Sequence, residues 1–484
     1  MNFRSQIAKH AIALTSHPHF QRIIQPDYPL RPSQFSFFYG WIILIVCTIG
    51  IIMSIPGQTV GVSVFTDPLI QATGLSRLQL SNAYLIGTLS SGLLLPLGGR
   101  LLDRWGARAI AFISSLWLAA TLCYLSLGDR LTVALTQLLS LESGSVIALI
   151  LLITGFTSLR FSGQGMLTMV SRTTLGKWFD QRRGFVSGVS GIFVSFGFAC
   201  APLLLSMLID GFGWRNAWFF LAALVGVGMG AIAWLFYRDN PEVCGLQMDG
   251  LIRNTQNQEN AEAVPSSRPS SKSEHDDANR RNSPLRRYST PRDFTRSEAL
   301  RTLAFWAVTL ALSTQALTVT GITFHIVDIG TATGLSRTQT VAIFLPIAIF
   351  STLTGYLIGI ASDRTHLKVL FIGMMLFEAT GIACAVNLGD IWFRGLAVVG
   401  LGVSGGCFGT LSAVALPRYF GRSHLGAISG IQMMSMVIAS ALGPSLLAIF
   451  KDYFGTYRIG LYVCAAMPIM LIIPLLMMQN PQEV

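Results

Sequence analysis

The sequence contains twelve apolar segments, each long enough to cross a lipid bilayer, which takes about 20 residues in a helix. Only 12% of the 484 residues are charged and 52% are hydrophobic, whereas an average soluble domain is about 25% charged. We therefore expect an all-α integral membrane protein, and not a soluble enzyme, a disordered scaffold or a disulfide-rich secreted protein. The predicted spans, numbered 1 to 12 in chain order, are 39–66, 80–101, 109–127, 146–170, 184–209, 217–237, 302–327, 340–361, 367–387, 391–416, 425–450 and 457–478.

Basic residues predict how these spans are oriented. Cytoplasmic loops of membrane proteins are enriched in Lys and Arg, and with the N-terminus inside, 26 of the 34 Lys and Arg fall on the cytoplasmic side. An even number of spans then places both termini in the cytoplasm. This distribution accounts for most of the net charge of +11, so we expect no nucleic-acid partner. The first 38 residues lack the apolar segment and cleavage site of a signal peptide, so we expect span 1 to be the first segment that enters the membrane.

A change of composition divides the spans into six and six. Residues 238–301 are rich in Ser, Asn, Arg, Asp and Glu, and such a stretch cannot bury enough apolar surface to offset the entropy lost on ordering. It is predicted to be a mostly disordered cytoplasmic linker. The predicted domains are a cytoplasmic N-terminal tail (1–38), a first six-helix bundle (39–237), the linker (238–301), a second six-helix bundle (302–478) and a cytoplasmic C-terminal tail (479–484).

The two predicted bundles resemble each other in sequence. ATGLSR occurs at 72–77 and again at 332–337, an offset of 260. Further along, SG at 187–188 recurs at 429–430, an offset of 242. Because six spans return the chain to the same side of the membrane, the repeats are parallel. This arrangement predicts a polar cavity between the bundles, which rocking would expose to each side in turn.

The loop between spans 2 and 3 has the most specific motif, GRLLDRWGAR at 99–108, and GIASDRTHLK at 359–368 is a degraded second copy. The loop resembles the G-x-x-x-D-R-x-G-x-R signature of the major facilitator superfamily of secondary transporters, and the likeness covers nearly all of the chain except the tails and the linker. It implies a twelve-helix fold and a conformational latch that helps to hold the outward-open state; the alternative is a topological anchor without a switching role. The residues concerned are Gly99, Asp103, Arg104, Gly106, Arg108, Gly359, Asp363 and Arg364.

A narrower likeness is to the bacterial monocarboxylate and oxalate/formate porter-like branch of that superfamily. It rests on FYGW at 38–41, KWFDQRRGFVSGVSG at 177–191, RDNPEVCGLQMDG at 238–250 and the SEALRTLAFW lead into span 7. The likeness implies a small organic anion as substrate, a plasma (bacterial inner) membrane location and a monomeric functional unit. Anion recognition in that branch leans on a basic residue in span 8, and span 8 of this chain has none.

Arg160 and Glu378 are the two charged residues predicted to lie deep in the membrane, where charge is costly and usually functional. Arg160 shares a helical face with Gly163, Gln164 and Gly165 in span 4, in a segment that resembles the superfamily's R-x-x-Q-G-x-G motif. Its guanidinium could bind a substrate carboxylate with two hydrogen bonds, or be a structural or proton-linked group satisfied by Gln164 and backbone carbonyls.

Two further residues are candidates for proton coupling. Glu378, near the middle of span 9, could be a protonatable group, or a neutral acid hydrogen-bonded to a neighbouring helix because span 9 of the superfamily packs away from the cavity. His325, towards the outer end of span 7, could carry a proton near neutral pH or cap a helix end.

Other polar residues lie on spans that line the cavity in this superfamily. Each could contact substrate or only join helices: Gln58 beside a predicted kink at Pro56-Gly57, Tyr84, Gln315, and, with less support, Asn82, Thr318, Tyr356 and Gln432. The seven cysteines have no C-x-x-C spacing, so no metal, cofactor or disulfide is expected. ATP-binding and zinc-protease signatures are absent from the sequence as well.

Together these features predict a secondary transporter, not an enzyme, that moves a small organic anion by alternating access, with a coupled proton as an option. One alternative is an exporter of amphipathic or drug-like compounds. Another is a membrane sensor or scaffold on a transporter fold.

Overall fold

The computed structural model describes residues 29–140, 144–250 and 292–483, and these residues form helices and loops without strands. Residues 1–28 of the predicted tail and 251–291 of the predicted linker lie outside the described residues. Eleven described helices are long and apolar enough to cross a membrane. Their bounds are Gly40–Ser63, Gln79–Ser126, Ser145–Trp178, Arg183–Phe212, Trp214–Phe236, Leu303–Thr331, Phe344–Arg364, Leu367–Asn387, Ile391–Phe420, Leu425–Phe454 and Arg458–Met477.

The second of these helices contains two crossings, so that the eleven helices supply the twelve predicted spans. Its 48 residues would reach about 72 Å as a straight helix, more than twice the hydrocarbon thickness of about 30 Å. The helix breaks at Gly106, where φ is 78° and ψ is 165°. Asp239 then accepts a hydrogen bond from the N–H of Ala107 (3.1 Å) at the start of span 3.

Span 1 is broken as predicted. A regular helix from Gly40 to Met53 gives way to a tight turn over Ile55–Gly57 and resumes at Thr59, because proline lacks the N–H that would continue the helix. Short helices outside the spans are Thr66–Thr73, Gly128–Leu138, Arg296–Leu300 and Arg337–Ala342.

Each half has its own apolar core, and the halves meet along two pairs of spans. Spans 2 and 11 pack together, as do spans 5 and 8, and these pairs exchange when the two repeats are superposed in sequence. Leu95 of span 2 is buried in the core of the second half. Many large apolar side chains point outwards and are exposed, among them Ile45, Phe196 and Leu353, as expected of helices that face lipid.

Both described ends of the predicted linker are attached to one end of the bundle, which we call the linker end; the opposite end is the far end. Asp249 accepts hydrogen bonds from the N–H groups of Asp180 and Gln181. Asp293 accepts from the N–H of Arg422 (2.6 Å) and from the hydroxyl of Ser423. The ordered structure therefore extends beyond the predicted bundle boundaries at 237 and 302.

Replacing Gly106 tests the break between spans 2 and 3. We expect Gly106→Ala to lower the free energy of unfolding by about 1–3 kcal/mol, since an L-residue is strained at this positive φ. The measurement is the unfolding midpoint of the purified protein in detergent. Gly128→Ala is the matched control, because Gly128 has a negative φ and open space around it. Equal midpoints for the two variants would contradict the prediction.

Candidate functional site

A cavity of about 560 Å³ lies between the two halves and contains three of the predicted substrate residues, Arg160, Tyr84 and His325. Its walls come from spans 1, 2 and 4 of the first half and spans 7 and 11 of the second half. Asn82 and Phe324 are exposed lining residues, and both lie towards the far end of their spans. The cavity is therefore accessible from the far end.

Arg160 reaches the cavity from an irregular part of span 4. Residues Arg160–Leu167 form a π-helix within the span, a rare widening of the helix that is frequent at functional sites. The wide turn brings Gly163 so close to Gly57 of the span 1 break that a Cβ on Gly163 would lie 2.8 Å from the Gly57 Cα. The break in span 1 and the π-helix of span 4 are therefore in contact beside Arg160.

The guanidinium of Arg160 is held by neutral groups. Its Nη1 donates to the carbonyl of Gly57 and to the hydroxyl of Thr59, both at 3.3 Å, and the group lies 5.3 Å from the ring centre of Tyr84. The residue is only 2% exposed. Within the described ranges, no carboxylate oxygen lies within 4.0 Å of its nitrogens. Arginine stays charged in proteins, so the cavity has a buried positive charge without a protein counter-ion in that part of the chain.

The four glutamines that the sequence suggested, Gln58, Gln164, Gln315 and Gln432, do not line this cavity. Gln58 donates to the hydroxyls of Ser54 (3.0 Å) and Thr168 (3.3 Å) and so joins span 1 to span 4. Gln315 is buried in span 7. Gln164 has a buried Oε1 without a partner in the described structure, and the groups that hold Arg160 are a backbone carbonyl and a threonine hydroxyl.

His325 is part of a hydrogen-bonded chain at the cavity wall. Its Nε2 lies 3.0 Å from the carbonyl oxygen of Pro444 in span 11, and because a carbonyl only accepts, Nε2 carries a proton. Its Nδ1 lies 3.1 Å from the hydroxyl of Tyr457, which in turn lies 3.4 Å from Oδ2 of Asp328. Burial and the carboxyls of Asp328 and Asp452 raise the pKa of Tyr457, so its hydroxyl keeps its single proton.

Glu378 lies apart from the cavity, inside the second half. The residue is 0% exposed, and its Oε1 accepts a hydrogen bond from the hydroxyl of Thr318 at 2.7 Å. Its Oε2 has no partner among the described residues. A buried, unpaired carboxylate would be very costly, so this geometry suits the neutral acid.

At the linker end, Asp103 binds the N-terminus of a helix in the opposite half. Its Oδ1 accepts from the N–H of Gly426 (2.8 Å) and its Oδ2 from the N–H of Ala427 (2.7 Å), in the first turn of span 11. Backbone N–H groups there are unpaired within the helix and carry partial positive charge. The approach requires glycine at Gly99, since a Cβ there would clash with the carbonyl oxygen of Gly426.

Asp363 makes the equivalent contact in the other repeat. Its Oδ1 accepts from the N–H of Gly184 (2.7 Å) and its Oδ2 from the N–H of Phe185 (3.0 Å), in the first turn of span 5. A Cβ on Gly359 would likewise clash with the carbonyl oxygen of Gly184, at 2.5 Å. The offsets match those in the sequence, because 260 relates the two aspartates and 242 relates the two helix starts.

The remaining loop residues have different surroundings. Arg108 donates to the carbonyl of Trp234 (2.9 Å) and stacks on its ring, so it ties span 3 to span 6. Gly106 makes the sharp turn. Arg104 and Arg364 are exposed at the linker end.

Sequence reasoning missed three residues that the structure brings to these sites. Arg172 lies beyond residue 170, where the predicted span 4 ended, although the helix continues to Trp178. Tyr457 is the first residue of the predicted span 12. Asp328 lies three residues after His325 and therefore on the same side of the helix, a spacing that could have identified it.

Comparisons with known proteins agree with this architecture. The sequence profile of the Major Facilitator Superfamily matches residues 42–365, more than half of the chain, so the chain belongs to this superfamily. No curated protein sequence matches it.

Solved structures share the fold. The chain is similar to the proton:xylose symporter XylE bound to 6-bromo-6-deoxy-D-glucose (14% identity, TM-score 0.62, 90% of this chain and 94% of that chain covered) and to a double Trp mutant of XylE (14%, 0.63, 92% and 98%). It is also similar to the human organic anion transporter MFSD10 (TETRAN) (15%, 0.57, 90% and 99%). These likenesses confirm the predicted twelve-helix transporter fold of a multi-pass membrane protein.

Two substitutions of Glu378 test whether its side chain is the neutral carboxylic acid. We expect Glu378→Gln to leave the free energy of unfolding within about 1 kcal/mol of wild type, because an amide has the shape of a carboxylic acid and still accepts from Thr318. Glu378→Ala is the paired variant and should lose about 2 kcal/mol or more through the lost acceptor and the void. The measurement is the unfolding midpoint in detergent. Equal destabilisation by both substitutions would contradict the assignment of a neutral acid that an amide can replace.

Proposed function

We propose that this superfamily member transports a small organic anion, with monocarboxylates as the first class to test, by alternating access. The observation that carries the proposal is Arg160, a buried cation at the cavity wall that no carboxylate neutralises among the described residues. A bound carboxylate would supply the missing charge and accept two parallel hydrogen bonds from the guanidinium. Tyr84, whose ring faces Arg160, would border the same ligand.

The chain His325–Tyr457–Asp328 supports coupling to a proton. When His325 is neutral, its Nδ1 accepts the hydroxyl proton of Tyr457, and Asp328 loses that donor. When His325 is protonated, Nδ1–H donates to the tyrosine oxygen, and the hydroxyl proton turns to Asp328. The protonation of a group in the cavity wall is thereby linked to a carboxylate that does not line the cavity, while Arg160 and the exposed Asp67 are the other charged groups of that wall.

The contacts of Asp103 and Asp363 support the latch role suggested by the sequence. Both carboxylates join opposite halves at the linker end, while the far end gives access to the cavity. With the linker end in the cytoplasm of a bacterial inner membrane, as the Lys and Arg distribution predicts, this is the outward-open state. A monomer of two six-helix bundles completes the proposal.

A specific observation favours a second candidate, an exporter of amphipathic anions. Apolar side chains, including Val62, Leu85, Phe156 and Phe324, form much of the cavity wall, and such a wall suits a ligand with a large apolar part. A sensor on the same fold would bind a ligand without moving it.

Arg160→Gln tests the anion site. In detergent, acetate, lactate, pyruvate, oxalate and benzoate are each added to wild type and to the variant, and the unfolding midpoint is measured. We expect at least one acid to raise the wild-type midpoint, and the apparent affinity to fall about ten- to a hundred-fold in Arg160→Gln, the loss of a hydrogen bond to a charged group.

Flux of the stabilising acid in liposomes separates a transporter from a sensor, and a preference for benzoate over acetate would favour the exporter. Arg458→Gln, which removes an exposed arginine at the start of span 12, is the control. Equal stabilisation of Arg160→Gln and wild type would remove Arg160 from the site, and no stabilisation by any acid would contradict the carboxylate proposal.

Tyr457→Phe tests proton coupling, because it removes the hydroxyl that joins His325 to Asp328 and keeps the ring. We expect accumulation of a labelled acid driven by a pH gradient to fall at least ten-fold, while exchange of labelled for unlabelled acid at equal pH stays within two-fold. Tyr462→Phe, on the exposed surface of span 12, is the matched control. A parallel loss of accumulation and exchange would contradict the coupling role.

A further inference from the structure

Arg172 is a second positive charge on span 4 whose surroundings the cavity does not explain. It lies 12 residues beyond Arg160, about 18 Å further towards the linker end along a helix. The regular helix Thr168–Trp178 positions it. There the two halves are in contact, so its side chain lies in the closed part of the path between them.

The neighbours of Arg172 come from the opposite half. Its Nη1 donates to the hydroxyl of Ser412 in span 10 at 2.7 Å. Ser412 and Gln432 of span 11 line the same small gap beside it, of about 20 Å³. The Nε2 of Gln432 is buried without a hydrogen-bond partner among the described residues, and the residue is only 3% exposed. The side chains of Arg172 and Gln432, both with donors left over, therefore line the same small gap.

The described part of the chain gives this site no counter-ion either. Among residues 29–140, 144–250 and 292–483, no carboxylate oxygen lies within 4.0 Å of the Arg172 guanidinium. A structural tie between halves could be made by two neutral side chains at lower cost, because placing a charge away from water is expensive. Arg172 has five N–H donors, and its printed acceptor is the neutral hydroxyl of Ser412. Such a group is better suited to an anionic ligand that binds when the linker end is open.

We propose that Arg172, with Gln432, forms a second anion-binding station that opens to the linker end when the halves separate there. Because Arg172 and Ser412 belong to different halves, their hydrogen bond breaks in that movement and frees the guanidinium fork. A carboxylate then binds the fork, and the amide of Gln432, carried by the second half, meets it from across the opening path.

This inference rests on the proposed anion transport and extends it. Span 4 would present one arginine to each face in turn, with Arg160 serving the far end and Arg172 the linker end. The hydroxyl of Ser412 would occupy the second arginine while the first is loaded.

The test measures affinity from each face separately. Full-length protein is placed in liposomes whose sidedness is established by protease cleavage in the linker, and exchange of labelled lactate, oxalate or benzoate is followed with the acid supplied at either face. We expect Arg172→Gln to raise KM at the linker face about ten- to a hundred-fold and to leave KM at the far face within two-fold. Arg172→Lys keeps the charge but lacks the two-pronged guanidinium, so its KM at the linker face should lie between those of wild type and Arg172→Gln.

Arg182→Gln is the control, since it removes an exposed arginine from the same end of the molecule and should change neither KM. An unchanged unfolding midpoint of Arg172→Gln verifies that the variant is folded, and Arg172→Lys replaces it if it is not. Equal change at both faces, or at neither, in a protein whose wild type transports would overturn the second station alone. A wild type that exchanges none of the acids from either face would overturn the proposed anion transport and this station with it.

Discussion

Two carboxylates bound to helix N-termini join the halves of this molecule at the linker end. Asp103 and Asp363 each accept two backbone N–H groups from the opposite half, and hydrogen bonds to a charged group contribute about 1.5–3 kcal/mol each. The N–H groups would otherwise be unpaired, and the helix dipole adds to the attraction. Because every one of these bonds crosses between the halves, all four must break together for the linker end to open.

The position of the cavity agrees with contact between the halves at that end. With spans 2 and 11 and spans 5 and 8 in contact there, the separation between the halves falls at the far end, where the 560 Å³ cavity lies. Span 4 runs past both regions. Its π-helix turns Arg160 to the cavity wall, and its regular part places Arg172 in the closed region. One helix therefore has a positive charge in the open part and another in the closed part of the path.

Much of this could be predicted from the sequence because it depends on local pattern. Twelve apolar segments, the repeat and the glycine–aspartate–arginine loop predict the fold, and a charge in an apolar span marks Arg160. The remaining contacts join residues far apart in the chain: Tyr457 and His325 are 132 positions apart, and Asp103 and Gly426 are 323 apart. No periodicity encodes such pairs. Gln164 was predicted from regular helix spacing, which the π-helix changes.

The distance across the linker end tests the central claim most directly. Spin labels at Gln181→Cys and His366→Cys, exposed positions in opposite halves, report it by pulsed electron paramagnetic resonance. The double variant has asparagine in place of Asp103 and Asp363. Each asparagine has one acceptor oxygen for one of the two backbone N–H groups, and its own NH₂ group, a donor, faces the second. We expect a single short distance between the labels when both aspartates are present, and an added population with a longer distance in the double variant. The same short distance in both proteins would contradict the claim that these carboxylates hold the linker end closed.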